Sequence, residues 1–272
     1  MEPPFRLVTA ALVKRLSRRA RTHALWDPAD RPHFLLGILR AADQATEFGS
    51  PAISVAEFGV AGGAGLIRMQ EYAAWVQAET GIRIRVLGFD TGAGLPAGTG
   101  DHHDHPEIWS PGDFAMDWDA LRPKLGAQTQ LILGDVRYTV PQVLQAGMPA
   151  PLGFVSIDVD FYSSTRDALR ILSLPECKTM IRVVVFLDET ETVRDPRFAG
   201  ELLAVEEFNQ EPHGVRINRW HGARNNRPLP RAGLVRKNVR GPRLGNHRAP
   251  ARCQSPEARS GHGQRVKPRW LK

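Results

Sequence analysis

Residues 53–65, ISVAEFGVAGGAG, pass without a break from an apolar run into a loop with glycine at 59, 62, 63 and 65. Ile53, Val55 and Phe58 read as a buried strand. The glycines let the chain turn sharply and bring its backbone N–H groups close to a ligand. Residues 66–79 then have helical composition and no proline, so the loop feeds a helix whose N-terminal dipole faces the same pocket. Strand, glycine loop and helix make the opening unit of a Rossmann-like sheet.

A plain glycine turn is the alternative reading, and two details bear on it. Read as a dinucleotide fingerprint from Gly63, the pattern is met at Gly65 but reaches Arg68 where the close helix–strand contact wants a small residue. Glu57 stands two residues before Gly59. An acid there suits a ligand with a positive amine and repels a pyrophosphate. S-adenosylmethionine carries such an amine and a sulfonium.

The rest of the pattern repeats the unit. Residues 84–90, IRVLGFD, read as a second buried strand ending on Asp90, placed where a ribose diol is held at a carboxyl edge. A glycine turn, TGAGLP, follows at 91–96. Residues 129–136 read as a third strand with Asp135 at its end, beside the expected adenine, and a short helix begins at Pro141. Residues 153–160, GFVSIDVD, read as a fourth strand carrying Asp158 and Asp160 on one face, because side chains alternate. Two carboxylates so close repel each other, and a nearby cation is the economical explanation. A helix with Ser or Thr caps is expected over 163–172, then a fifth strand over 182–188 ending in Asp188 and Glu189. These acids would lie beside those of the fourth strand as hard oxygen ligands for Mg²⁺ or a similar ion, or would merely cap the next turn. A helix over 199–210 and a sixth strand over 214–220 complete a doubly wound, mostly parallel α/β sheet.

Between the second and third strands, residues 101–107, DHHDHPE, hold His102, His103 and His105 among three acids. Ligands packed this tightly in one loop rarely all point at one ion. A solvated lid over the substrate is expected, with one histidine reaching in.

These blocks together resemble the macrocin O-methyltransferase (TylF) group of class I methyltransferases. The resemblance rests on the Glu-x-Gly-Val loop of 57–63, GFD at 88–90, GLP at 94–96, IDVDFYSSTRDAL at 157–169 and the acid pair at 188–189. It implies methyl transfer from S-adenosylmethionine to a hydroxyl of a small molecule, of the sugar or vicinal-diol type, with a divalent metal. By motif, Glu57, Gly59, Gly63 and Asp90 would hold the cofactor, with Val60 and Gly62 in the same loop and Asp135 near the adenine. Asp158, Asp188 and Glu189 would hold the metal; beyond the motif, Asp158 and Asp160 are candidates to serve the reaction, Asp160 either as a base or as a support behind the metal ligands. Two departures stand out. The last acid is Glu189 where the group has Asp, and the antiparallel seventh strand that the group implies has only a short candidate at 234–239. The rival readings are an NAD(P)-dependent oxidoreductase and a catalytically idle fold binding nucleic acid.

The ends of the chain differ from its body. Residues 1–48 are expected to form helices, one of them basic and amphipathic over 5–22, for packing or self-association, and a second over 31–46. Residues 49–222 form the Rossmann-like domain. Residues 223–272 carry 14 of the 36 lysines and arginines and one of the 29 acids, so the tail is strongly basic and the remainder acidic. Six prolines and little apolar periodicity predict disorder there. Trp270 is the tail's one aromatic residue, which argues against nucleic acid as the partner. Arg, Pro, Gly and Ala enrichment also matches GC-rich DNA translated in any frame, so the segment past about 225 carries its own question of origin. No apolar run reaches the roughly 20 residues that span a bilayer. Cys177 and Cys253 are far apart without metal-ligand spacing, which together with the absence of a cleavable leader predicts a reducing, cytoplasmic setting.

Overall fold

The computed structural model describes residues 4–26, 29–98, 100–105, 107–188, 198–220 and 237–240. Its centre is a sheet built from β1 (Ala52–Phe58), β2 (Arg83–Asp90), β3 (Thr129–Leu133), β4 (Leu152–Ile157), β5 (Thr179–Leu187), β6 (Ile217–Arg219) and β7 (Lys237–Arg240). The strand order is β3-β2-β1-β4-β5-β7-β6. The first five strands are mutually parallel, and β7 inserts antiparallel between β5 and β6. The order turns back between β1 and β4, which is where open α/β sheets bind ligands. The fold is thus the α/β Rossmann-like sheet expected from the sequence.

The helices are α1 (Pro4–Leu16), α2 (Ala20–Trp26), α3 (Pro32–Glu47), α4 (Ala64–Thr80), α5 (Trp118–Leu121), α6 (Val136–Ala146), α7 (Tyr162–Leu169) and α8 (Gly200–Gln210). They cover both faces of the sheet, which is why β1 and β4 read as nearly unbroken apolar runs. Ile53 and Val55 pack with Phe34, Leu35 and Ile38 of α3 and Leu66 and Met69 of α4. Ala56 and Phe58 pack on the other side with Val140, Val143, Leu169 and Phe208. The two-residue period therefore turns Glu57 toward the α3 and α4 side.

Several boundaries depart from the sequence reading. The basic helix expected over 5–22 is two helices, because α2 starts afresh where the Ala20 amide donates to Glu79 Oε2 of α4 at 2.6 Å. Trp75 Nε1 holds the connecting turn by donating to the Arg18 carbonyl at 2.8 Å. Val8, Leu12 and Leu16 of α1 stay exposed. Helix α3 packs on the sheet. Its Gly37 lets the Phe154 ring approach so closely that a Cβ would fall 2.3 Å from it, and Gln44 bonds both backbone groups of Arg182 at 2.8 Å. Helix α6 begins before Pro141, at Val136, and the N-cap of α7 is Phe161 with no side-chain cap.

The tail is corrected at 237–240, which form β7 inside a segment expected to be disordered and overlap the short candidate at 234–239. Of the two cysteines, Cys253 lies outside the described residues. Among the described residues, no helix is long and apolar enough to cross a membrane.

Candidate active site

Strand register sets up the site. Phe58 pairs with Phe89 on one side and Ile157 on the other, and Ile157 pairs with Leu187. The next residues, Gly59, Asp90, Asp158 and Asp188, therefore stand at one level across four neighbouring strand ends. Above this edge opens a cleft lined by Gly59, Ala61, Asp90, Asp135, Asp158 and Asp160, with Thr91, Gly94, Leu95, Pro96, Asp113 and Phe114 from the loops.

Gly59 has φ +83°, and a Cβ there would fall 1.7 Å from the Asp158 carbonyl oxygen. Only glycine fits, in conformation and in space. Its amide donates to the Phe89 carbonyl at 3.0 Å, and the Gly63 amide donates to the Val60 carbonyl at 2.8 Å. Asp90 Oδ2 accepts from the amides of Val60 and Ala61 at 2.9 and 2.8 Å, and its Oδ1 accepts from the Gly92 amide at 2.6 Å. Asp90 thus ties the glycine loop to the loop after β2. Four of the loop amides expected to face a ligand, those of Gly59, Val60, Ala61 and Gly63, are spent within the protein. Val60 is buried, Gly63 packs its Cα on Leu121, and neither they nor Gly62 line the cleft.

Glu57 is 3% exposed, and its Oε2 has no hydrogen-bond partner. It lies beneath the start of α4, where Gly65 leaves it room: a Cβ on Gly65 would meet Oε1 at 1.9 Å. Burial pushes its carboxyl up to about 8; Arg31 opposes this, and Asp158 and Asp90 add to it. Glu57 does not line the cleft. Asp135 does, while capping α6 through the Arg137 amide at 2.8 Å and pairing with the Arg137 guanidinium at 2.9 Å.

Strand β4 ends at Ile157, before both of its acids. The Asp158 amide still donates to the Phe58 carbonyl at 3.0 Å, but Asp160 sits at φ +58° in a tight turn closed by Phe161 N–H to Val159 O at 2.6 Å. The turn, not strand alternation, brings both carboxylates to the cleft. Asp188 is exposed beyond β5 and is not among the lining residues, and Glu189 lies outside the described residues. Hard oxygens at the adjacent ends of β4 and β5 are a donor set that suits a divalent cation. Among the described residues, the one group of three ligands whose donor atoms all lie within 4.8 Å of one another is Asp101, His102 and His103.

The loop at 101–107 is pinned at Asp104, while His102 and Glu107 stay exposed to solvent as expected. Asp104 is 2% exposed and accepts from the Ser163 amide at 2.7 Å and its hydroxyl at 2.9 Å. His103 Nδ1 lies 2.6 Å from Asp101, and His105 Nδ1 lies 3.0 Å from Glu107. None of the three histidines lines the cleft, so none reaches in as expected.

Comparison with solved structures gives a match to CalS11, a calicheamicin methyltransferase, at 19% identity over 90% of this chain and 95% of that chain, with a TM-score of 0.52. The chain has the methyltransferase fold. A second match, to the O-methyltransferase NovP, is 18% identical over 74% of this chain and 76% of that chain, with a TM-score of 0.49. No protein-family model matches the sequence, and no curated protein does.

Sequence reasoning missed Asp113 and Phe114. They reach the cleft because Leu95 and residues 112–113 pair, Leu95 N–H to Asp113 O and Gly112 N–H to Leu95 O, both at 2.8 Å. A Cβ on Gly94 would lie 2.5 Å from both carbonyl oxygens of that partner segment, so the GLP turn was the available signal. Phe114 holds φ +63° and remains 55% exposed.

Proposed function

We propose that the chain is an S-adenosylmethionine-dependent O-methyltransferase acting on a hydroxyl of a small molecule. One observation carries the reading: the cleft at the glycine loop is lined by five carboxylates, and the amides of Gly59, Val60, Ala61 and Gly63 already have acceptors inside the protein. Such a site favours a sulfonium and an ammonium, and among the described residues its lining offers a pyrophosphate no cation and none of these four amides. This disfavours the nicotinamide reading on the geometry of the loop itself. The resemblance to the macrocin O-methyltransferase group supports the same choice.

Methyl transfer is an in-line displacement at the sulfonium carbon, so the protein must align an acceptor oxygen and take up its proton. Asp90 fixes the glycine loop and presents its remaining acceptor capacity to the ribose, and Asp135 stands at the adenine end. Glu57, buried below the loop and off the cleft lining, would become a counter-charge for the cofactor's amine only by giving up its proton. Asp160, held toward the cleft by its left-handed turn, is the carboxylate that accepts the hydroxyl proton, since the loop histidines lie elsewhere. Asp158, Asp188 and Glu189 would hold Mg²⁺ or a similar ion. Such an ion lowers the pKa of a bound hydroxyl.

Titration calorimetry with S-adenosylmethionine and with NAD tests the reading. Micromolar-range binding of the former and none of the latter is expected; binding of NAD alone defeats it.

A further inference from the structure

The charge of the cleft constrains the acceptor. Asp90, Asp113, Asp135, Asp158 and Asp160 all line it, and among the described residues its lining contains no lysine, arginine or histidine. S-adenosylmethionine brings a sulfonium and an ammonium against one carboxylate. The Arg137 guanidinium offsets one of the five, Asp135, and the cofactor's net positive charge offsets more, yet the described lining presents an acceptor with carboxylates and no cation of its own. A phosphate or carboxylate on the acceptor needs a cation or free N–H groups to meet it. The guanidinium at this edge, that of Arg137, is paired to Asp135 at 2.9 Å. The amides of Val60, Ala61 and Gly92 donate to Asp90, and that of Ser110 donates to Asp113 Oδ2 at 2.9 Å.

The mouth adds a second, independent feature. Phe114, adjacent to Asp113, lines the cleft and is more than half exposed, and Trp109 stands edge-on to it with ring centroids 6.0 Å apart. A carboxylate beside an exposed aromatic face is a pairing that binds ammonium groups, by charge and by the ring's quadrupole.

Resting on the methyltransferase reading, we propose that the acceptor is a hydroxylated amine, bound as a cation with its ammonium at Asp113 and Phe114, and not a phosphorylated or carboxylated molecule.

The test uses three catechols of closely similar shape and different charge: dopamine, 3,4-dihydroxyphenylethanol and 3,4-dihydroxyphenylacetate. Each is titrated into the full chain saturated with S-adenosylhomocysteine, at low and at high salt. Affinity is expected to fall in that order, by on the order of tenfold or more between the ends, and the spread should shrink with salt. Asp113→Asn keeps an oxygen for the Ser110 amide while removing the charge, and should reduce the preference for dopamine several-fold; a circular dichroism spectrum unchanged from the parent shows that the variant is folded. Equal affinities, a reversed order, binding of none of the three, or a preference untouched by Asp113→Asn overturns the proposal. Titrations repeated without S-adenosylhomocysteine keep the two readings apart. Failure of the nucleoside to bind, with the charge order intact, defeats the methyltransferase reading and leaves the cation-selective cleft standing.

Discussion

Glu57→Gln separates the charge of the buried acid from its shape. In the fold the Glu57 carboxyl is pushed up to about 8 from an ordinary 4.5, chiefly by burial. A carboxyl raised on folding makes stability fall as pH rises, because between the two values the folded chain keeps a proton that the unfolded chain releases. The loss begins near pH 4.5, continues to about 8, and is level above that. At about 1.4 kcal/mol for each pH unit, the penalty reaches roughly 3 kcal/mol at pH 7. The glutamine side chain does not titrate, so the variant escapes this slope. It also buries an amide where Glu57 Oε2 has no partner, which costs about 1–3 kcal/mol at every pH. The pH dependence of the difference is therefore the signal. Urea denaturation of both proteins at pH 5 and pH 7.5, without cofactor, should show the parent losing about 3 kcal/mol more than the variant across that interval. Parallel stability curves would refute the buried, proton-holding Glu57. A companion measurement follows from the same sign. If the cofactor's amine pairs with Glu57, binding near pH 7 expels the proton, seen as a binding enthalpy that depends on the buffer's ionisation enthalpy, and Glu57→Gln abolishes that dependence.

Asp90→Ala removes the acceptor of three amides, those of Val60, Ala61 and Gly92. Charge-assisted bonds of this kind contribute about 1.5–3 kcal/mol each and are not additive, so a loss of about 3 kcal/mol and a cofactor affinity down by tenfold or more are expected; an unchanged Tm and affinity contradict the tie. Gly59→Ala forces a Cβ to within 1.7 Å of the Asp158 carbonyl at a positive φ. It should destabilise by about 2–4 kcal/mol, and a urea midpoint equal to the parent's would show that the β1–β4 seam yields freely. EDTA should abolish turnover and Mg²⁺ restore it, while Asp158→Asn and Asp188→Asn keep cofactor affinity within about threefold. Full activity in chelator would remove the metal from the reaction and leave Asp160 as the base.

The sheet is legible in the amino-acid order. Its strands are short apolar runs, its turns carry glycine and acids at the carboxyl edge, and these signals are local, arising from side-chain period and backbone freedom within a few residues. That is why local pattern suffices to place Gly59, Asp90, Asp135, Asp158 and Asp160 at one edge. Tertiary packing settled which groups each acid meets there. Glu57 reads as a cofactor contact, yet strand alternation and the close approach of Gly65 put it below the loop and without a partner for Oε2. Asp90 reads as a free ribose ligand but spends both oxygens on amides at positions 60, 61 and 92, distant in sequence on one side. Strand β7 lies in a segment whose composition argues against order, because a four-residue strand is held by its neighbours β5 and β6 rather than by any pattern of its own. Asp113 and Phe114 carry no local signal either; they reach the cleft through backbone pairing with the turn at Leu95, a contact between loops that periodicity does not encode.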